Sequence, residues 1–509
     1  MPKGHLVLIG GGKDTDFIFE RIFELAGEKA NVKMAIIPTA SGHINQTMNA
    51  YVEYFTKDLG LKPEQVWAVP LAVEDDDTSP DVDESQWKMN AFDPSFCEKI
   101  AGYNLIFFVG GDQRRYLEAL EKDKVETPLL KAIYQVYENG GVVAGTSAGT
   151  NIMSEQSIAG GRSEEALSNQ ITFSSTEDDG KKLLIIDGFG FIKNVLTDTH
   201  FDVRGRLGRL IEAASLTGNR YGFGMGECTS VVYHPDSTVE VCGLSDVFII
   251  DMVNAVNHGK KNSFPHITNV KVHILTHGDC FNLETEEFKP GPGKQNIINT
   301  PYYGKDDYNI SLNVFGEYEI ANIITKYLLD NEAHEVIGIM DFEKYYLPGN
   351  STACIRFLQT KETNAFYCKA KLQPNDEEPK EIYSGIHVRA DVIPLDYVES
   401  NTRHDVCDVV AFAVDNSLRL VVFDAEKTYP VCDAKVEIYD QKNELIFRTG
   451  TDKFGKARVS GFLEDGAQYM LKVIYDESEI QGKFNYEENM RGFCFTDNAG
   501  ESNDRRDRD

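Results

Sequence analysis

The stretch Gly145-Thr146-Ser147-Ala148-Gly149 limits the possible folds of this chain more than any other. It follows the apolar run Gly141-Val142-Val143-Ala144, which reads as a buried strand, and the residues after Ser147 read as a helix start. A G-x-S-x-G at a strand-to-helix turn needs its glycines because the backbone bends sharply there, and the bend pushes the serine oxygen outward. N–H groups at the helix start can then stabilise an oxyanion. Tight strand–helix packing alone would also select small residues, so the motif needs support from the rest of the chain.

That support begins with periodicity. Leu6 to Ile9, Lys33 to Pro38, Gln65 to Val69 and Leu105 to Val109 read as short apolar strands. Helical spacing fills the intervals at Asp14 to Ala26, Asn45 to Leu59 and Arg114 to Glu121, and a further helix runs to Glu138. Strands separated by helices predict an α/β fold with a parallel sheet covered on both faces. Ligands of such sheets sit at the carboxyl ends of the strands. Gly10-Gly11-Gly12, Gly110-Gly111 and Ser147 all fall at such ends, so the pattern predicts that they converge.

Charge narrows the function classes. The net charge of −30 on 509 residues argues against nonspecific nucleic-acid binding, because a phosphate backbone would be repelled. It suits a cationic substrate, and it equally suits solubility alone. No run reaches the roughly 18 apolar residues that span a bilayer, and the start of the chain lacks a secretory pattern, so a cytoplasmic protein is expected. The nine cysteines are scattered without a C-x-x-C and read as reduced thiols. His273 and His277 lie in an apparent strand, where that spacing keeps them from sharing a metal. No metal site or organic cofactor is expected.

The remaining sequence divides by pattern. Residues 1–285 form the expected catalytic domain, with Glu74-Asp75-Asp76-Asp77 opening a solvated acidic loop. Residues 286–412 read as an α+β region, with a helix at Glu317 to Leu329 and strands at Ala353 to Leu358, Phe366 to Ala370 and His387 to Ile393. Residues 413–480 read as a small β-sandwich that resembles transthyretin-like and carboxypeptidase-regulatory-like modules. Within it, Asp452-Lys453-Phe454-Gly455-Lys456 reads as a hairpin connection. Residues 481–509 read as a polar, disordered tail.

A serine nucleophile needs a base, and the base needs an orienting acid. His200 is the outstanding base, in Asp198-Thr199-His200-Phe201-Asp202-Val203-Arg204-Gly205-Arg206-Leu207-Gly208-Arg209-Leu210. It sits where the apolar Val195-Leu196 gives way to a helix, at another strand end. Arg206 and Arg209 are three apart and share a helix face, with Arg204 near its start. Guanidinium forks there suit capture of substrate carboxylates, and they could equally pair with the chain's many acids. Asp198, two residues from His200, could line the same pocket. Glu164 and Glu165 lie between nucleophile and base in the chain, and the sequence leaves both open as the orienting acid.

These residues carry a family resemblance. Gly110-Gly111-Asp112-Gln113, the motif around Ser147, the Gly-x-Ser-Glu ending at Glu164 and the long arginine motif from Asp198 to Leu210 resemble the cyanophycinases, in order and spacing, across roughly Lys3 to Leu283. The resemblance implies a class-I glutamine-amidotransferase-like catalytic fold and a serine exopeptidase. The implied substrate is cyanophycin, a poly-aspartate carrying arginine on its side chains, and the implied product is β-Asp-Arg dipeptide. It implies Ser147 as nucleophile, His200 as base and Glu164 as orienting acid. Ala148 and Gly111 would supply oxyanion N–H groups, and Gln113, Asp198, Arg204, Arg206 and Arg209 would hold substrate. It also implies a homodimer and no cofactor. A related dipeptidase or isopeptidase on other Asp-containing peptides, or a non-catalytic polymer-binding homologue, are the alternatives. The chain departs from the family at Glu165-Ala166-Leu167 and at Gly224-Met225-Gly226-Glu227, where an acid gives way to Gly226.

Overall fold

The computed structural model describes residues 4–13, 16–168, 171–173, 182–261, 264–304, 310–340, 351–373, 376–399, 408–424, 429–476, 478–487 and 492–496. Its first sheet is built on five parallel strands: β1 (His5–Ile9), β2 (Met34–Ile37), β3 (Val66–Ala68), β4 (Leu105–Phe108) and β5 (Val142–Thr146). Their spatial order is β1-β5-β4-β2-β3. Successive side chains of a strand point to opposite faces, and here both faces are covered. Leu6 and Leu8 enter one core while Val7 and Ile9 enter another. That two-sided burial is why these strands read as unbroken apolar runs. The predicted alternation of strand and helix therefore holds through Ser147, and each of these strands lies within a residue or two of its expected bounds.

Two further parallel strands, β6 (Val195–Asp198) and β7 (Tyr221–Met225), lie side by side in register from Val195–Tyr221 to Asp198–Gly224. The antiparallel strand β8 (Thr229–Tyr233) then returns to pair with β1. Strands β6 and β7 begin a second, larger sheet. It continues through Val247–Asp251, Phe264–Leu275, the twenty-residue strand Lys380–Glu399, Gly492–Thr496, Asp408–Val414, Ser417–Phe423 and Lys456–Val459. Neither expected boundary, at 285 or at 412, interrupts this sheet. One hydrophobic core joins Leu196 and Leu210 to Val314, Phe357 and Val388, so the middle region packs on the catalytic half rather than hanging from a linker.

At the far end, a four-stranded sheet of Leu445–Gly450, Lys435–Tyr439, Gln468–Tyr475 and Ser478–Asn485 faces the last strands of the large sheet. Val409, Leu420 and Val459 from one side share a core with Val436, Leu471 and Ile480 from the other.

Three local readings are corrected. The turn at Asp452–Gly455 is tight, with the Gly455 N–H donating to the Asp452 carbonyl at 3.0 Å and φ of Gly455 at 66°. It is nevertheless not a hairpin, because the strands it joins pair in different sheets. The tail contributes strands at Ser478–Asn485 and Gly492–Thr496, the latter seated between Lys380–Glu399 and Asp408–Val414; residues 497–509 lie outside the described ones. The acidic loop is anchored: Asp76 and Glu84 are buried, and Glu84 accepts hydrogen bonds from the Asp76 N–H and the Ser79 hydroxyl. Cys97, Cys228, Cys242, Cys280, Cys354, Cys368 and Cys432 are free thiols. No helix among the described residues is long and apolar enough to cross a membrane.

Candidate active site

Ser147 sits at the end of β5 with φ 52° and ψ −117°, a left-handed backbone that a non-glycine residue adopts only at a cost of about 1–3 kcal/mol. The flanking glycines make the bend possible for a steric reason. A Cβ on Gly145 would lie 2.3 Å from the Gly149 carbonyl oxygen, and a Cβ on Gly149 would lie 2.2 Å from that of Phe108. The Ser147 N–H donates to the Ile9 carbonyl at 3.1 Å, which ties the elbow to β1. Its side chain is thus held at the mouth of the sheet.

His200 follows β6 and is also left-handed, with φ 49°. Its N–H donates to the Gly10 carbonyl at 2.8 Å. Its ring lies over Gly11, where a Cβ would come within 2.4 Å of the imidazole. Gly11 therefore leaves room for the imidazole, while Gly10 and Gly12 are held free of a Cβ by the Gly226 carbonyl and Cys228. The Ser147 Oγ and His200 Nε2 are 3.0 Å apart. The other ring nitrogen, Nδ1, is 2.6 Å from Glu227 Oε1. A carboxylate only accepts, so Nδ1 carries the hydrogen and Nε2 presents its lone pair to the serine. Burial lowers the pKa of His200, and the nearby Arg204 and Arg206 charges lower it further, against the raising effect of Glu227. The net result is an imidazole that is neutral, and basic, at neutral pH.

The acid at this position is a correction. Glu164 was expected on His200, with Glu165 as the alternative, and Glu227 is there instead. Glu164 is buried on the short helix Ser163–Leu167, and Glu165 folds back to accept from the Arg162 N–H at the start of that helix. Ser163 holds this helix to the arginine segment through the Gly205 carbonyl, at 2.6 Å. Glu227 lies beyond His200 in the chain, 27 residues on, and reaches it because β6 and β7 are parallel neighbours whose ends lie together. A search confined to the interval between nucleophile and base could not find it. Its position just past a strand end was the available signal.

The expected substrate-holding residues divide in two. Gln113 is buried, with its amide donating to the Ile158 carbonyl at 2.9 Å. Asp198 is fully buried and is clamped by Arg209 Nε at 2.7 Å and Arg206 Nη1 at 3.2 Å. Arg209 also reaches the Gly161 carbonyl. Burial, reinforced by the neighbouring Arg209 charge, holds Arg206 down to about 9 despite its Asp198 partner. Asp198, Arg206 and Arg209 thus satisfy one another, while the Gln113 amide is taken up by the Ile158 carbonyl. Arg204 differs. It is exposed, and among the described residues its guanidinium makes no hydrogen bond or ion pair.

Gly110 faces the serine: a Cβ on it would lie 3.2 Å from the Ser147 Cβ. Gly111 has φ 144° and packs on the Ala40 carbonyl, 2.0 Å from where a Cβ would be. The loss of an acid at Gly226 also has a steric counterpart, since a Cβ there would meet the Ser245 hydroxyl at 2.6 Å. Among the described residues, the grouping that could hold a cation is His43, Asp76 and Asp77. It lies on the acidic loop, and the Asp76 carboxylate is already taken by the Thr78 hydroxyl and the Asn45 N–H.

Residues 6–238 match the model of peptidase family S51. A cyanophycinase from Geminocystis herdmanii is 31% identical over 293 residues, which are 56% of this chain and 96% of that protein. One from Synechococcus elongatus is 32% identical over 56% of this chain and 81% of its own length. One from Nostoc sp. is 30% identical over 55% and 86%. Among solved structures, a peptidase from an acI-B1 Actinobacterium is 22% identical, covers 55% of this chain and 97% of that one, and has a TM-score of 0.37. With a relative matched over nearly its whole length at this identity, the chain belongs to peptidase family S51 and is a peptidase.

Proposed function

We propose that this peptidase is a serine exopeptidase that hydrolyses cyanophycin, multi-L-arginyl-poly-L-aspartate, to β-Asp-Arg dipeptides. The observation that carries the reading is the Ser147–His200–Glu227 chain of contacts, 3.0 and 2.6 Å long, set at the strand ends beside an unpaired arginine.

The steps follow from the hydrogen-bond roles. His200 Nε2 takes the Ser147 proton as Oγ attacks a backbone carbonyl of the polymer. Glu227 holds the imidazole in the Nδ1–H tautomer and stabilises the imidazolium that forms. The carbonyl oxygen becomes an oxyanion and is met by the N–H groups of Ala148 and Gly111. Neither of those N–H groups donates to another acceptor among the described residues, which supports that assignment. The imidazolium then gives its proton to the leaving amine as the C–N bond breaks. Water, deprotonated by the same Nε2, releases the acyl group. Arg204 is assigned to a substrate carboxylate, for which its free fork is suited.

The test is incubation of the purified protein and its Ser147→Ala variant with insoluble cyanophycin, followed by mass spectrometry of the soluble fraction. Release of β-Asp-Arg by the parent and not by the variant is the expected result. Full activity in Ser147→Ala would remove the serine mechanism. No release by the parent, with Ser147 still labelled by a fluorophosphonate, would leave a peptidase with a different substrate.

A further inference from the structure

A segment from outside the family-matched residues reaches the active site. Residues 6–238 carry the family match, yet Val314–Glu319 comes down beside His200. The Tyr318 N–H donates to the Asp202 carbonyl, two residues past His200, at 3.2 Å. Phe315 sets the approach. Its carbonyl oxygen lies 2.2 Å from where a Cβ on Gly205 would be, and its ring lies 2.7 Å from where one on Gly208 would be. The two glycines of the arginine motif are thus the seat on which this segment rests.

Tyr318 is then held in an unusual way. It has φ 57° at the start of the helical turn Glu319–Asn322, a left-handed conformation that a bulky residue rarely adopts. Such strain tends to persist where the surroundings impose it for a purpose. No packing gain explains it, because Tyr318 is 46% exposed. Among the described residues its hydroxyl makes no hydrogen bond, and its ring meets no other ring. Its surroundings are acidic: Glu317 is exposed beside it, and the charges of Glu317 and Glu227 both act on the phenol and help burial to raise its pKa. An open aromatic face flanked by carboxylates is the chemistry that takes a cation, and a guanidinium above all.

We infer that Tyr318, with Glu317, forms a wall of the substrate site contributed by the middle region, and that it binds the guanidinium of the substrate's arginine side chain. This rests on the proposed substrate class, and it adds a division of labour. Arg204 takes the carboxylate end of the bound unit and Tyr318 takes its cationic end. The middle region then acts as a specificity element of the peptidase.

The experiment reads protection of Ser147 against a small fluorophosphonate. β-Asp-Arg dipeptide is the competitor and β-Asp-Leu the control, on the full chain and on its Tyr318→Ala and Tyr318→Phe variants. Alanine keeps a Cβ in the same left-handed backbone, so the variant changes the ring and not the strain. Without competitor, all three proteins are expected to label within about twofold of one another, which confirms an intact elbow. β-Asp-Arg should protect the parent and the Phe variant, while Tyr318→Ala should need about tenfold more dipeptide, in line with loss of a cation–aromatic contact. Equal protection in Tyr318→Ala, or equal protection by β-Asp-Leu, would overturn the inference. Polymer release by the parent is scored separately. Release together with unaltered protection in Tyr318→Ala would retain the proposed function and discard the tyrosine.

Discussion

Two places in this molecule gather charge, and they treat it differently. In the second half, Arg356 is only 2% exposed and is spent on three carboxylates, Glu335 at 2.7 Å, Asp391 at 3.2 Å and Asp415 at 3.1 Å. Burial alone would raise Glu335, but the Arg356 and Lys456 charges outweigh it and hold that carboxyl below the usual range. At the active site, Asp198 is spent in the same manner on Arg206 and Arg209. In front of it, however, the Ser147 hydroxyl, the neutral His200 and the unpaired Arg204 are left with chemistry to do. The lesson is that density of ionisable groups does not mark function; unspent hydrogen-bonding capacity at a strand end does.

The comparison is broken most directly at Glu227. If this carboxylate orients His200, Glu227→Gln should lower kcat by about 10³–10⁴, since the amide can hold the wrong tautomer. Glu165→Gln, whose carboxylate accepts from the Arg162 N–H at its own helix start, should change kcat by less than about threefold. Equal effects of the two, measured on one substrate, would return the assignment of the acid to the interval before His200.

Arg356 tests the other side. Arg356→Met leaves the buried Glu335 without its ion-pair partner and Asp391 with Arg389 alone, so stability should fall by about 3–5 kcal/mol. The measurement is the midpoint of urea unfolding. The rate at a temperature where the variant is folded should stay within about twofold of the parent. A large loss of rate in the folded variant would mean that this cluster is coupled to the active site.

A smaller effect is expected at Arg204. Its charge helps depress His200, so kcat/KM should fall as pH drops through a value below the ordinary imidazole range. Arg204→Gln removes that influence and should move this acid limb to higher pH while raising KM. An acid limb that stays in place would show that burial, Arg206 and Glu227 set the base without Arg204.

What was legible in the sequence follows the range of the interactions involved. Strands β1 to β5 and the Ser147 elbow carry local signatures: apolar runs buried on both faces, and glycines where the backbone turns against itself and against β4. The pairing of Ser147 with His200 was legible because each follows a strand end, although the two strands belong to different sheets. Glu227 was not, since its claim on His200 depends on β6 and β7 lying in parallel register. The arginine motif was legible as special but not in its division of labour. Only packing shows that Arg206 and Arg209 turn inward to Asp198 while Arg204 does not. The turn at Asp452–Gly455 has hairpin residues yet links two sheets, and the short strand Gly492–Thr496 lies in a stretch whose polarity suggested no partner at all.

Asp202 sharpens the comparison last, because its charge is neither spent nor put to work. It is fully buried between the His200 loop and the Tyr318 segment, and among the described residues neither carboxyl oxygen completes a hydrogen bond, although the Ile320 and Ala321 N–H groups act on it. Burial raises its pKa well above the ordinary value, and the Asp246 charge adds to this, against the N–H groups of Ile320 and Ala321. A carboxyl with a raised folded pKa takes up a proton on folding. Its stabilising contribution is therefore complete below the unfolded value and is lost as pH rises toward the folded one. Asp202→Asn carries a neutral group of nearly the same shape at every pH. The variant should match the parent in urea at pH 4 and exceed it increasingly up to pH 8, with kcat unchanged. A variant that is less stable at pH 8 would mean that the carboxylate is ionised and held by the start of the Glu319–Asn322 turn. In that case Asp202 would join Asp198 among the spent charges, and it would be the clasp that draws the middle region onto the active site.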